Sequence, residues 1–178
     1  GAVQLAGGSS EKARTSFEKA VELNPTSVEA WLALANYDWA VNDHSGAERE
    51  LKAALAADPQ NSLAHRALAL FYLSDRRPLE AEPHFKILAA QSPEGALALA
   101  DFYTGIGRQD AALTVLNNIQ DKKAQRDARL RIAGIEQTRG RQAEALAIAD
   151  GLIKDKPKDP EAHMLKARLL LAGNGDLD

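Results

Sequence analysis

Between Val28 and Val41 the apolar residues recur three and four positions apart, as in Trp31, Leu34 and Ala35. That interval places side chains on one face of an α-helix. Asn42-Asp43-His44-Ser45-Gly46 interrupts the pattern, and Ala47, Leu51, Ala54 and Leu55 open a second apolar stripe that Asp58-Pro59 ends. The pattern predicts two helices and a short turn, and similar pairs follow along the chain. Thr26 and Glu29 have the spacing of a capping box. Ser92-Pro93 and Asp159-Pro160 each put a capping side chain before a proline at the first helical position. No alternating β-branched run marks a strand, so the fold class predicted is all-α.

The pairs repeat with a period. FEKAVELNP at residues 17–25 is echoed 34 residues later by LKAALAADP at 51–59. Ala13, Ala47, Ala81, Ala112 and Ala145 are spaced 34, 34, 31 and 33 residues apart. Ala35, Ala69, Ala100, Ala133 and Ala167 are spaced 34, 31, 33 and 34 apart, with the same short step. Phe17, Leu51, Phe85 and Leu116 form a larger apolar series, and Pro25, Pro59, Pro93 and Pro157 a series of stops. Each unit then buries its apolar face against the next.

This joint spacing resembles the tetratricopeptide repeat family. Its units carry small residues at positions 8, 20 and 27, large apolar residues at 4, 7, 11 and 24, and proline at 32. The resemblance implies an α-solenoid of antiparallel helix pairs wound into a right-handed superhelix, as one array over 1–178. Its units are 1–27 (mainly a second helix), 28–61, a short unit 62–92, 93–125, 126–159 and a first-helix half unit 160–178. Positions 8 and 20 meet where paired helices cross, so the two alanine series are the structural residues. A larger side chain there overpacks, at about 1–3 kcal/mol. Asp38 and Glu136 depart from the pattern at position 11. The short third unit makes Ser92-Pro93 both stop and start, and Pro83 is expected to kink or delay its helix.

Composition narrows the chemistry. The 178 residues are 45% apolar and 26% charged with net charge −3, and cysteine is absent, which excludes disulfides and thiolate metal sites. No apolar run reaches the roughly 20 residues that span a bilayer. His44, His65, His84 and His163 lack metal-ligand spacing, and His65 and His163 share packing position 4. Gly105-Ile106-Gly107 and Gly173-Asn174-Gly175 follow helices and read as turns rather than phosphate loops. Glu48/Glu50 and Glu80/Glu82 do not share a helix face and read as solvated surface. Lys122, Lys123, Arg126, Arg129, Arg131, Arg139 and Arg141 form a basic cluster, read as solvated helix faces. Without interleaved aromatics it does not suggest nucleic acid. No catalytic constellation, cofactor motif or metal site is evident, so the chain reads as a non-enzyme.

In the resembled family the concave wall comes from first helices. The matching positions nominate Leu32, Asn36, Trp39, Leu63, Arg66, Leu70, Leu73, Leu97, Asp101 and Leu130 as partner-binding residues. The apolar ones form either a docking patch or contacts of a tightly curved superhelix. The family's grip on a C-terminal carboxylate is not reproduced: Leu32 replaces its lysine, and Glu94 and Ala98 stand where later basic residues would be. The expected function is a scaffold holding a partner peptide or helix in the groove. Two alternatives stay open. One is a spacer in a longer array, resembling those of bacterial envelope and polysaccharide-export systems; the other is the non-catalytic part of a larger enzyme or sensor. The compartment, bacterial cytoplasm or envelope, stays open too. A terminal half unit is expected to leave Met164, Leu165, Leu169 and Leu170 partly bare and to favour end-to-end self-association.

Overall fold

The computed structural model describes residues 2–173, with side chains from Glu11 onward. Among these residues there are ten α-helices and no strand: α1 (Ala2–Leu23), α2 (Val28–Ala40), α3 (His44–Ala57), α4 (Ser62–Ser74), α5 (Pro78–Gln91), α6 (Pro93–Gly105), α7 (Gln109–Asn117), α8 (Lys122–Thr138), α9 (Gln142–Asp155) and α10 (Pro160–Gly173). They form two compact units, one ending at Ile87 and the other beginning at Leu88. Asn174 and Gly175, in the second glycine motif, lie outside the described residues.

Eight of the ten alanines in the two series are buried. Ala35, Ala47, Ala69, Ala81, Ala100, Ala112, Ala133 and Ala145 are all at most 2% exposed. Ala13 is half-buried and Ala167 is exposed. Ala167 lies on α10, and no helix after α10 is described to cross it. The expectation of a bare α10 holds for Met164 and Leu170, at 60% and 47% exposure, but not for Leu165 and Leu169. These two are buried in one cluster with Ala145, Ala149 and Leu152 of α9. α10 thus buries one stripe of its side chains on α9.

The turns inside the pairs share a mechanism the spacing does not reveal. Asn42, Arg76, Gly107 and Gly140 all have positive φ, from 58° to 78°. The next residue's amide reaches back five residues in each case: Asp43 to the Asp38 carbonyl, Arg77 to Tyr72, Arg108 to Tyr103 and Arg141 to Glu136, at 2.7–2.8 Å. This bond, beside a left-handed residue, is the Schellman closure of a helix C-terminus. Glycine takes that conformation freely, whereas Asn42 and Arg76 adopt it against the preference of a side chain.

The caps refine the boundaries. Ser27, not Thr26, caps α2, accepting from the Ala30 amide at 3.1 Å, while Thr26 bonds Asn24. The predicted Thr26–Glu29 box is therefore replaced by a cap one residue later. Asp43 caps α3 by accepting from Gly46, so the break between α2 and α3 is shorter than predicted. Ser92 caps α6 by accepting from Gly95 at 3.0 Å, one residue after α5 ends. Pro83 lies inside α5, which runs on from Pro78 without a delayed start.

A second clasp fixes the turns between pairs. Trp31 Nε1 donates to the Pro25 carbonyl at 2.8 Å. His65 Nε2 meets the Pro59 carbonyl at 3.0 Å, and His163 Nε2 the Pro157 carbonyl at 2.9 Å. A carbonyl only accepts, so both histidines carry the proton on Nε2. Position 4 therefore serves as a donor to the stop six residues earlier as well as a packing residue.

Candidate functional site: a cleft in the first unit

α2 and α4 lie side by side over α3 and leave an open cleft of about 360 Å³ between them. Asn36 and Trp39 come from α2, Leu63, Arg66, Leu70 and Phe71 from α4, and Ala35, Ala47 and Leu51 make the floor. Leu63, Arg66 and Leu70 fall at i, i+3 and i+7, which aligns them on one face of α4. Leu63, Leu70 and Trp39 are 62%, 52% and 38% exposed. That is a large apolar offering to water for side chains held on rigid helices.

Trp39 is braced from behind. Its ring lies edge-on to Phe71 with centroids 5.4 Å apart, and 4.6 Å from the ring of His44. His44 Nδ1 is 3.2 Å from Asp75 Oδ1 at the end of α4. The cleft wall is thus an aromatic pair of fixed geometry.

Five of the ten predicted partner-binding residues line this cleft: Asn36, Trp39, Leu63, Arg66 and Leu70. Leu32 instead packs with Trp31 against Val28, Ala54 and Ala64, and Leu73 is half-buried. The other three belong to the second unit. Leu97 is 8% exposed, Leu130 packs on the Ala133–Ala145 cluster, and both Asp101 oxygens accept from Arg131, at 2.7 and 2.9 Å. Ala67, Phe71 and Ser74 are cleft residues missed; they follow Leu63 and Leu70 at helical three- and four-residue spacing, which was the available signal.

The charged groups behave differently from the solvated faces predicted. Glu48 accepts from Arg77 at 2.6 Å and from the Tyr72 hydroxyl at 3.1 Å, and pairs with Lys52 at 2.7 Å. Glu50 is buried against Arg49. The basic cluster is similarly engaged: Arg126 forks onto Asp159, Arg129 onto Asp155, Arg131 onto Asp101, Arg139 onto Asp110 and Arg141 onto Glu136. Asp159 also accepts from the Glu161 amide at 3.1 Å as the cap of α10. These arginines are engaged within the chain rather than presenting a field to a partner.

The hydrogen bonds from Arg77 and Lys52 hold the Glu48 carboxyl down at about 2. A carboxyl depressed below its usual 4.5 stabilises the fold above that value and stops doing so as pH falls towards 2. The first unit is therefore expected to lose about 3 kcal/mol through this group between pH 5 and pH 2. Urea titrations at several pH values check it, with Glu48→Gln removing that dependence. His65 and His84 face each other with Nδ1 atoms 2.9 Å apart. Because His65 is protonated on Nε2, its Nδ1 accepts from His84. Burial, with His65 beside it, pushes the His84 pKa down. Among the described residues no three His, Cys, Asp or Glu side chains gather as a metal site, and no helix is long and apolar enough to cross a membrane.

The sequence model of the tetratricopeptide repeat matches residues 4–71. No curated protein matches the chain. Among solved structures, the chain is similar to YrrB, described as a TPR protein with an unusual peptide-binding site, at 18% identity over 93% of this chain and 87% of that one, with a TM-score of 0.62. A thermophilic TPR protein of Thermus thermophilus, TTC0263, is 25% identical over 95% of both chains, with a TM-score of 0.53. A tetratricopeptide repeat protein from Parabacteroides merdae is 19% identical over 94% of this chain and 68% of its own, with a TM-score of 0.65. Folds of this kind serve protein–protein interaction and are typically non-catalytic. With its helix pairs, its buried alanine series and the match over 4–71, the chain is an all-α repeat solenoid whose residues 4–71 carry the tetratricopeptide repeat.

Proposed function

We propose that this chain is an interaction scaffold and that the cleft between α2 and α4 holds a peptide or helix of a partner protein. One observation carries the reading: Trp39, Leu63 and Leu70 are exposed apolar side chains facing one open cleft, on helices whose buried sides fix them. Burying such side chains against a partner releases about 25 cal/mol for each Å² of apolar area, and a preformed wall avoids the entropic cost of ordering it. A relative of the same fold, YrrB, is described as having a peptide-binding site, which fits this class of ligand.

The test is a peptide-array or pull-down screen repeated with Asn36→Ala, Trp39→Ala and Leu70→Ala combined. Partners found with the unaltered chain are expected to lose at least tenfold in affinity. This corresponds to about 1.4 kcal/mol, modest for two apolar truncations in a docking site. Unchanged binding by the triple variant would rule the cleft out.

A further inference from the structure

We infer that the segment docking in this cleft is an amphipathic helix with a side-chain carboxylate between two apolar residues, and that Arg66 receives the carboxylate; this rests on the cleft being the docking face proposed above. The cleft's charge selects such a segment. No acidic residue lines the cleft, and Arg66 is the cation that does. In the same unit Arg14 pairs with Asp38, Arg49 with Glu50 and Arg77 with Glu48. Arg66 is exposed, and no ion pair or hydrogen bond within the chain engages its guanidinium among the described residues.

Its neighbours determine what can sit there. Arg66 stands between Leu63 and Leu70 on one face of α4, with Trp39 across the cleft. An apolar segment lying over Leu63 and Leu70 strips water from the guanidinium. A wholly neutral segment leaves that charge dehydrated and unpaired, which is costly. A basic segment adds repulsion. A carboxylate replaces the lost water with charge-assisted bonds to a planar fork, which strengthen as water leaves. Because Leu63, Arg66 and Leu70 follow helical spacing, a helix laid along α4 matches them with apolar, acidic and apolar side chains at its own three- and four-residue intervals. Asn36 supplies an amide at the opposite rim.

The test titrates the full chain at pH 7.5 with labelled, amidated helical peptides carrying leucine at i and i+7 and Glu, Gln or Lys between them, followed by fluorescence anisotropy. The Glu peptide is expected to bind about tenfold tighter than the Gln peptide, with Lys weakest, as a charge-assisted bond requires. Arg66→Gln should abolish the preference for Glu over Gln, weakening the Glu peptide and relieving the cost that the unpaired charge imposes on the Gln peptide. Arg66→Glu should reverse the order of Glu and Lys. Equal binding of all three, still lost with Trp39→Ala, overturns the carboxylate inference and leaves the cleft assignment standing. If a free C-terminus on the Gln peptide restores full affinity, a chain terminus is the ligand and the side-chain inference fails. No binding by any peptide, or binding indifferent to Trp39→Ala and Leu70→Ala, overturns both.

Discussion

Replacing Gly95 with alanine is expected to destabilise the second unit by about 3 kcal/mol or more, because one methyl group has no room. Gly95 is buried in the first turn of α6. A Cβ built there falls against the Leu88 carbonyl group and 2.9 Å from the Ala89 amide nitrogen. Those atoms are backbone inside helix α5, so no rotamer change relieves the overlap. The cause is the short third repeat: α5 ends at Gln91 and α6 begins at Pro93. A one-residue connection brings the start of one helix onto the end of the other. Ser92 reinforces this by accepting from the Gly95 amide. Gly134, inside α8, is the control, since a Cβ there meets nothing within 4 Å. Gly134→Ala should be neutral or stabilise by about 0.5–1 kcal/mol. Urea denaturation followed by circular dichroism compares the two. If Gly95→Ala is as mild as Gly134→Ala, the close approach does not constrain the unit.

That contrast shows where the sequence can be read and where it cannot. The 31-residue step was visible in both alanine series, and so was the doubled role of Ser92-Pro93. The crowding at Gly95 was not, because it depends on how steeply α6 leaves α5. Helix pairs and crossing alanines were legible because each is written several times at a fixed interval. The cleft was legible in part. Trp39, Leu63 and Leu70 followed from the repeat positions, whereas Leu32 and Leu97 occupy matching positions and are covered. Exposure at those positions depends on the neighbouring helix, which a periodic pattern does not record. The ion pairs were the least legible feature. Arg77–Glu48, Arg131–Asp101 and Arg126–Asp159 join residues 29, 30 and 33 positions apart. Each pair occurs once, at different repeat positions, so no periodicity announces it.

Arg14→Met is expected to cost the first unit about 3 kcal/mol at pH 7, as when one partner of a buried ion pair is removed. Asp38 occupies the position-11 site that Tyr72 fills one repeat later. There, Glu48 on the preceding pair receives both the Tyr72 hydroxyl and Arg77. One repeat earlier the polarity is inverted. Arg14 of α1 lies 3.2 Å from Asp38 Oδ1 and 3.9 Å from Asp43 Oδ2. Asp38 is 0% exposed and neither carboxylate oxygen has a hydrogen-bond donor, so Arg14 supplies the compensation by charge alone. Gly46 makes room for this carboxylate, since a Cβ there would fall on Asp38 Oδ2. Burial is the strongest influence on Asp38 and raises its pKa, while Arg14 lowers it. The sign of the pH effect follows. A carboxyl whose pKa is raised by folding favours the fold below its unfolded value, and that contribution is lost as pH rises through the folded value. Without Arg14 the folded pKa moves further up, so the deficit of Arg14→Met should shrink as pH is lowered from 7 to 5. Glu18 also loses its contact with Arg14, but that pair is exposed and worth little. Adding Asp38→Asn should recover most of the loss at pH 7 by removing the stranded charge. A pH-independent deficit, or a double variant no more stable than Arg14→Met alone, would mean that Arg14 holds α1 through packing rather than by answering the charge of Asp38.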